Sequence, residues 1–315
     1  MSESLTFRLL QYIKAVAETR NFTRAAERLY LAQPSLSQQV RDLEDQLGFP
    51  IFARNGGIRV TDSGRLLAAY AESALRERDE IVAMARAIHL RQVPPLRLGF
   101  SSFINAGLLE NFRECYDEMF PGCEIQLSGG DPILTLQRLN QRRVDCAILP
   151  MPIDEDICNV QQISQSPLVV CMRTDDALAR HAQLDIHEVA HRIKIFRDPE
   201  LQPSAHSRLV EMFNEMGIPL SLANSARTPS EVQWMVKAGY GLALVDQLLP
   251  LEASLITRPI AGVNWTADTA FVHQSRADHI ALPFIERFLQ KNWQNSGRKK
   301  RPSESLRPEQ LKLLA

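Results

Sequence analysis

The sequence predicts an α/β protein that carries a separate, mostly helical domain at its N-terminus. Helical patterns and a hairpin fill residues 1–61, one long helical pattern follows, and beyond Leu96 short apolar runs alternate with helices. The chain of 315 residues is 45% hydrophobic and 23% charged, which is typical of a folded protein with more than one domain.

Charge, chain start and cysteine content exclude several classes of protein. The formal net charge is -1, so a contact with nucleic acid requires a local basic surface. The chain does not start with a basic segment followed by an apolar one, and no apolar run is long enough to span a bilayer. The five cysteines show no C-x-x-C spacing, which fits a reducing compartment. We therefore expect a cytoplasmic protein without a membrane partner.

Three helices are predicted in the first part of the chain. Apolar residues within 5–16 follow helical spacing and indicate the first helix. Thr23 is predicted to cap a second helix, Arg24–Leu29. A third helix begins at Gln33 and Pro34, because proline is tolerated in the first turn of a helix.

A hairpin follows the third helix. Asn55 and Gly56 lie between two short apolar runs, which is a strong signal for a tight turn between two strands. The order of three helices and a hairpin predicts a winged helix-turn-helix over residues 1–61, a fold that places one helix in the major groove of DNA.

One face of the third helix is predicted to meet DNA. Leucine and valine residues at helical spacing turn inward, so Gln38 and Arg41 lie outside. The second half of the helix carries Asp42, Glu44 and Asp45, which phosphates would repel, so we expect the N-terminal half to enter the groove. The alternative is a solvated polar face on a small helical domain. The predicted DNA contacts are Thr23, Arg24, Gln33, Pro34, Ser35, Ser37, Gln38, Arg41, Arg54 and Arg59.

Several short motifs occur in a fixed order in this domain. They read FTRAAERL at residues 22–29, AQPSLS at residues 32–37 and T-x-x-G at residues 61–64. In this order the chain resembles the LysR-type transcriptional regulators, and the match continues to about residue 295. The resemblance implies a dimer or a dimer of dimers on an interrupted dyad of double-stranded DNA, a small-molecule effector, and contact with RNA polymerase if the protein is an activator. Gln38 stands where the family commonly has arginine, so a different target sequence is expected.

A long linker helix is predicted over residues 62–92. Leu66, Tyr70, Ser73, Glu77, Ile81, Met84 and Ile88 approximate the seam of a coiled coil, with Ser73 and Glu77 weakening it. One alternative is an amphipathic helix that packs only on its own domain, whereas the resemblance favours a dimer. Prolines at positions 94 and 95 then break the chain and mark a domain boundary.

The segment 93–295 is predicted to form a parallel α/β sheet domain. The resemblance implies the two lobes of a periplasmic solute-binding protein, with lobe one at 95–163 and 267–295 and lobe two at 164–266. Residues 296–315 form a basic tail that we expect to be disordered. The predicted strands are Leu96–Phe100, Glu124–Leu127, Cys146–Leu149, Leu168–Met172, Lys194–Phe196, Leu242–Val245 and Ala270–His273, and the predicted helices are Ala106–Met119, Pro132–Gln141, Ala205–Met216 and Pro229–Ala238.

The effector is expected at the carboxyl ends of these strands, where open α/β sheets bind ligands. Arg197 follows a predicted strand, and its guanidinium facing serine hydroxyls and free N–H groups would favour a carboxylate. Asp131 would oppose a second negative charge. The alternative for Arg197 is a surface ion pair with Asp198 or Glu200. The alternative for each polar residue before a helix is that it only caps that helix and does not contact the effector. The predicted effector contacts are Ser101, Ser102, Gly130, Asp131, Arg197, Ser204, His206 and Thr228.

Two patterns point to other functions. His187, Glu188 and His191 spell the zinc-peptidase motif H-E-x-x-H, but the segment leaves fewer than two helical turns and no third ligand pattern follows. Cysteine redox sensing is disfavoured because Cys146 and Cys171 lie within predicted strands. Pure solute binding would explain residues 95–295 but not the helix-turn-helix. We therefore expect no catalytic residues, metal or cofactor.

Overall fold

The structure, a computed structural model, describes residues 5–153, 158–219, 223–275 and 279–296. Two compact units make up the chain, Met1–Gln92 and Val93–Ala315. The tail from residue 297 onward, for which we expect disorder, lies outside the described residues. Among the described helices, none combines the length and the apolar character that crossing a membrane requires.

Four helices and a small hairpin form the first unit. The second helix starts earlier than predicted, because Asn21 and not Thr23 is its cap. The Oδ1 atom of Asn21 accepts hydrogen bonds from the N–H groups of Thr23 at 2.8 Å and Arg24 at 3.1 Å. The elements are α1 (Phe7–Thr19), α2 (Phe22–Arg28), α3 (Gln33–Leu47), β1 (Phe52–Ala53), β2 (Arg59–Val60) and α4 (Asp62–His89).

The core of the first unit joins the three short helices to the hairpin. Phe22 of α2 meets Phe52 of β1 edge to face, with ring centroids 5.9 Å apart. The expectation that Glu44 lies on an acidic outer face of α3 is wrong, because Glu44 is only 8% exposed. It lies inside because its carboxylate accepts hydrogen bonds from the backbone of the hairpin.

The T-x-x-G motif at residues 61–64 caps α4 and allows it to pack closely against the hairpin. Thr61 caps α4 by accepting a hydrogen bond from the Gly64 N–H at 2.9 Å. A Cβ atom at Gly64 would lie 2.1 Å from the Ile51 carbonyl oxygen, so only glycine allows the helix to approach the hairpin this closely. The motif therefore fixes how the linker helix leaves the winged domain.

The linker helix has two different faces. Ala71 and Leu75 belong to the core that contains α1, so this face packs on its own domain. Leu66, Tyr70 and Ile81 of the predicted seam are 75%, 55% and 50% exposed. Met84 of the same predicted seam is only 3% exposed, so the apolar seam is uncovered within one chain over part of its length, and the dimer stays a prediction.

The second unit is one continuous sheet with helices packed against it. The strand order is β4-β3-β5-β11-β6-β9-β7-β8, with β10 beside β6. The strands are β3 (Leu96–Ser101), β4 (Ile125–Gly130), β5 (Cys146–Pro150), β6 (Cys158–Arg173), β7 (Ile193–Arg197), β8 (Asn224–Ala226), β9 (Leu242–Asp246), β10 (Leu255–Arg258) and β11 (Thr266–Gln274). The helices are α5 (Ala106–Met119), α6 (Pro132–Asn140), α7 (Ile186–Val189), α8 (Pro203–Glu215), α9 (Pro229–Lys237) and α10 (Leu282–Ser296).

Two long strands, β6 and β11, lie in the middle of this sheet, and we name the two groups of strands on either side of them lobe one and lobe two. β6 pairs antiparallel with β11 over residues 158–167 and then antiparallel with β9 over residues 168–171, so the sheet is mixed and the prediction of a parallel sheet is wrong for these strands. Lobe one carries β3, β4 and β5, and lobe two carries β7, β8, β9 and β10. The prediction of a strand at Leu168–Met172 was too short, because the first ten residues of β6 are mostly polar and do not read as a strand. The sequence also gave no prediction of β8, β10 or α10.

Candidate DNA-binding surface and ligand cleft

The N-terminal half of α3 presents most of the predicted DNA-binding residues to solvent. Pro34, Ser35, Gln38 and Arg41 are exposed, and Gln33 is partly exposed. Ser37 is different, because it is 5% exposed and its Oγ atom accepts a hydrogen bond from Arg41 at 3.1 Å. Ser37 therefore positions Arg41 in this structure and does not present its own hydroxyl.

Gln38 has a fixed orientation on this surface. Its Nε2 atom donates a hydrogen bond to Asp42, one turn further along α3, at 2.7 Å. A carboxylate only accepts hydrogen bonds, so this contact identifies the amide nitrogen and leaves the Oε1 atom facing away as an acceptor. The acidic second half of α3 thus takes part in orienting the polar first half.

The two wing arginines differ in their surroundings. Arg59 is exposed at the edge of the hairpin, with one hydrogen bond to the Asn55 carbonyl at 3.3 Å. Arg54 forms an ion pair with Glu44 at 2.7 Å and lies over the Phe22 ring at 5.7 Å. Arg54 therefore braces the hairpin against the core, while its side chain keeps 37% exposure.

Thr23 and Arg24 are exposed in the first turn of α2. Among the described residues, no ion pair engages Arg24, whereas Arg28 pairs with Glu18. Together with Arg41 and Arg59, Arg24 supplies positive charge on a molecule whose formal net charge is only -1. These exposed arginines are candidates for the local basic surface that DNA binding requires.

A cavity lies where the two lobes of the second unit meet. It opens at the carboxyl ends of β5 and β7 and at the first turn of α8. Its wall is mostly apolar and includes arginine, glutamine and histidine side chains. The lining residues are Met151, Pro152, Leu168, Ile195, Phe196, Arg197, Gln202, Ala205, His206, Arg208, Leu209, Met212, Leu244, Thr266 and Ala267.

Arg197 is one of the two arginines that line this cavity. Its guanidinium stacks on the Phe103 ring of lobe one, 4.6 Å from the ring centroid. Among the described residues no acceptor hydrogen-bonds to it, and it pairs with neither Asp198 nor Glu200. Burial lowers the pKa of Arg197, and the charge of Asp246 partly counters that effect. Arginine stays protonated in proteins, so this is a half-buried cation whose donors are free to bind an anion.

Gln202 also lines the cavity and was not predicted from the sequence. It is 8% exposed, and its Nε2 atom donates a hydrogen bond to the Pro150 carbonyl of lobe one at 2.8 Å. A second contact between the lobes joins the Asn105 amide to the Leu248 carbonyl at 3.3 Å. The signal for Gln202 was its position before Pro203, where a capping residue is usual and glutamine does not cap.

Most of the other predicted effector residues have structural partners. Asp131 caps α6 through the Leu134 N–H at 2.7 Å, and Thr228 caps α9 through the Glu231 N–H at 3.2 Å. Neither they nor Ser204 lines the cavity, whereas His206 does. Asp131 therefore gives no reason here to exclude a second negative charge on a ligand.

The two serines after β3 do not lie at a free helix start. Ser101 is fully buried, and its Oγ atom accepts a hydrogen bond from the Phe103 N–H at 3.2 Å. The Ser102 N–H donates to the carbonyl of Gly130 at 3.0 Å. The expectation of free N–H groups at these serines is wrong, because α5 begins only at Ala106 and its cap is Asn105.

The H-E-x-x-H segment does not form one continuous α-helix. α7 ends at Val189, and His191 follows in a 3-10 turn over Ala190–Arg192. Within the ranges that the structure covers, no group of three metal-binding side chains comes together. The thiols of Cys171 and Cys115 are poor nucleophiles, because burial raises the pKa of Cys171 to about 12 and that of Cys115 to about 11.

Two family models match the chain. The model described as a bacterial regulatory helix-turn-helix protein of the lysR family matches residues 7–65, and the LysR substrate binding domain matches residues 91–292. The HTH-type transcriptional regulator CatR of Pseudomonas putida is 31% identical over 245 residues, which is 76% of this chain and 82% of the relative. BudR of Raoultella terrigena is 28% identical over 254 residues, with 77% and 85% covered.

Solved structures of full-length regulators share the fold. Full-length BenM has a TM-score of 0.54 at 22% identity and covers 95% of this chain and 100% of its own. CbnR in complex with its target DNA has a TM-score of 0.57 at 17% identity, with 91% and 99% covered. At these identities the likeness shows the fold and not individual contacts.

Proposed function

This chain belongs to the LysR family of transcriptional regulators, with a helix-turn-helix DNA-binding domain and an effector-binding domain, and we propose which residues perform these two tasks. α3 enters the major groove with its N-terminal half, where Gln33, Pro34, Ser35, Gln38 and Arg41 face the bases or the backbone. Exposure of this half, together with the inward turn of Glu44, is the observation that supports the assignment. Thr23, Arg24, Arg54 and Arg59 contact phosphates beside it.

The orientation of Gln38 narrows the base that it reads. Because Asp42 holds the amide nitrogen, Gln38 offers its oxygen to the groove as an acceptor. The exocyclic amines of adenine and cytosine are the donors that the major groove displays. Adenine remains the favoured partner, since its N7 acceptor can engage the second amide hydrogen of Gln38.

The active form is a dimer, or a dimer of dimers, held together by α4. The exposed seam at Leu66, Tyr70 and Ile81 supports this proposal, because such a row of apolar side chains is stabilised by a second copy of the same helix. A two-fold axis in the protein matches an interrupted dyad in the DNA. RNA polymerase is a further partner if the protein is an activator.

The effector is a small carboxylate that binds in the cavity between the lobes. Arg197 carries this proposal, because it is a half-buried guanidinium with free donors beside an apolar wall. A carboxylate accepts two parallel hydrogen bonds from such a group. Binding across β5 and β7 contacts both lobes, so the ligand can favour one lobe arrangement and thereby alter DNA affinity.

A thermal-shift screen of carboxylates tests the effector proposal. We expect at least one compound to raise the melting temperature of the wild-type protein, to lose most of that effect in Arg197→Gln, and to alter affinity for operator DNA. Arg227→Gln is the matched control, since Arg227 lies in the same lobe, is 59% exposed and pairs with Asp198 away from the cavity. A stabilising hit that keeps its affinity in Arg197→Gln contradicts the proposal, as does binding only of cations and neutral compounds.

A further inference from the structure

In the side-chain amide of Gln202, the nitrogen has a hydrogen-bond partner, whereas the oxygen has none among the described residues. The carbonyl of Pro150 can only accept a hydrogen bond, so the contact at 2.8 Å identifies the nitrogen of the Gln202 amide and fixes where its oxygen lies. That Oε1 atom is buried and has no donor among the described residues. A buried acceptor without a donor is unfavourable, and Gln202 lines the ligand cavity, so the ligand is the natural source of the missing donor.

The protein donors that line the same cavity are engaged elsewhere or remain apart. Arg208 pairs with Glu211 at 3.2 Å and with Glu215 at 3.5 Å. Arg197 stacks on Phe103, and no hydrogen bond joins it to Gln202. The cavity therefore offers the Arg197 guanidinium and the separate Gln202 acceptor on a mostly apolar wall, which also carries Arg208, His206 and Thr266.

We infer that Gln202 recognises a hydroxyl donor on the effector, so the effector is an apolar carboxylate that also carries a hydroxyl group. The inference rests on the proposed carboxylate site at Arg197 and adds a second requirement to it. Gln202 contacts lobe one through Pro150 and the ligand through Oε1, so the donor on the ligand completes a hydrogen-bonded link across the cleft. Unsubstituted aliphatic and aromatic acids lack that donor and leave Oε1 unpaired.

Matched sets of acids test this inference by isothermal titration of the intact protein. Each set keeps one carbon skeleton and compares the acid, its hydroxy derivative and its methoxy derivative, for example 3-phenylpropanoic, 2-hydroxy-3-phenylpropanoic and 2-methoxy-3-phenylpropanoic acids. A second set uses the 4-methylpentanoic skeleton, and both sets include hydroxyls at later positions. In at least one set we expect the hydroxy acid to bind about tenfold more tightly than both analogues.

Gln202→Met separates recognition from a merely structural role. The substitution keeps the length of the side chain and removes the acceptor, so the tenfold preference should fall to about twofold or less while the methoxy acid binds nearly as before. A structural role would weaken all three acids alike and leave their ratio unchanged. Ser207→Ala, at an exposed position of α8 that does not line the cavity, is the control and should alter neither affinity nor ratio.

If Gln202→Met does not fold, Gln202→Glu serves instead. Its carboxylate still accepts from a hydroxyl, so the hydroxy preference should persist while repulsion weakens all three acids. Equal binding of the three acids by wild type, or an unchanged preference in Gln202→Met, overturns the inference and leaves the Arg197 site standing. A lack of binding by every carboxylate overturns both proposals.

Discussion

Glu44 should be the residue whose loss most damages the DNA-binding unit without touching DNA. Its carboxylate accepts from the N–H groups of Ile51 at 2.8 Å and Phe52 at 2.9 Å, and it pairs with Arg54 at 2.7 Å. Glu44→Leu leaves two buried N–H groups unpaired, at about 1–3 kcal/mol each, so the free energy of unfolding should fall by about 2–6 kcal/mol. The Arg54 side is partly exposed and adds at most about 1 kcal/mol.

Chemical unfolding can follow the two units separately. All three tryptophans, Trp234, Trp265 and Trp293, belong to the second unit, so tryptophan fluorescence reports that unit alone while circular dichroism reports both. We expect Glu44→Leu to lower the denaturant concentration at which the first unit unfolds, as followed by circular dichroism. The second unit, followed by tryptophan fluorescence, should unfold at the same denaturant concentration as in the wild type. The affinity for operator DNA should fall as well, because the hairpin that forms the wing loses its hydrogen bonds to Glu44.

A neighbouring acidic position provides the matched control. Asp45→Asn removes one negative charge from the adjacent, exposed position of α3, and Glu44→Gln removes one charge but keeps an acceptor oxygen. The expected order of stability is wild type and Asp45→Asn, then Glu44→Gln, then Glu44→Leu. If Glu44→Leu unfolds at the same denaturant concentration as Asp45→Asn, the carboxylate does not hold the wing and the reasoning fails.

Four further outcomes follow from the structure. Gln38→Arg should shift base preference at one position of each half-site toward G·C by about 1–3 kcal/mol, and identical selected sequences for both proteins would contradict a base contact. Arg59→Ala should weaken binding to all sequences and reduce the log–log salt slope by about one, and an unchanged slope would place the wing away from DNA. Leu66→Glu should dissociate the dimer in sedimentation without altering helix content, since Leu66 is 75% exposed, and a persistent dimer would exclude the α4 seam. Burial raises the pKa of Asp145, but hydrogen bonds from Arg97 outweigh it and hold that pKa below its usual value. The pair therefore stabilises the second unit above about pH 4 and is lost as the pH falls through the lower folded-state pKa, so Asp145→Asn should flatten the acid limb of stability, and an unchanged limb would contradict the pairing.

The helices of the first unit were predictable because local signals specify them. Helical spacing, proline in a first turn and the Asn55-Gly56 hairpin do not depend on distant contacts. The inward turn of Glu44 was not predictable, because a carboxylate on a helix reads as solvated until the hairpin that it binds is in place. The sequence analysis chose Thr23 and not Asn21 as the cap of α2, because both residue types are good caps and only the geometry of the helix start shows which one caps it.

The ligand cleft was predictable in its location and not in its residues. The rule for carboxyl ends of strands led to Arg197 and to His206, which both line the cavity. The same rule selected Asp131 and Thr228, which cap helices, because cap residues and ligand residues share the same positions. The sequence analysis did not predict Gln202 as a cavity residue, because its role depends on the Pro150 carbonyl, which is distant in sequence and belongs to lobe one.

The central claim is that this chain recognises a two-fold DNA site through α3 and the wing. Selection of bound sequences from random duplexes by the intact protein tests it most directly, with a Gln38→Ala and Arg59→Ala double variant in parallel. We predict that wild type enriches an interrupted dyad whose half-sites lie about one helical turn, or a multiple of it, apart, and that the double variant loses the enrichment. Enrichment of no sequence by wild type, or the same dyad from both proteins, would contradict the account.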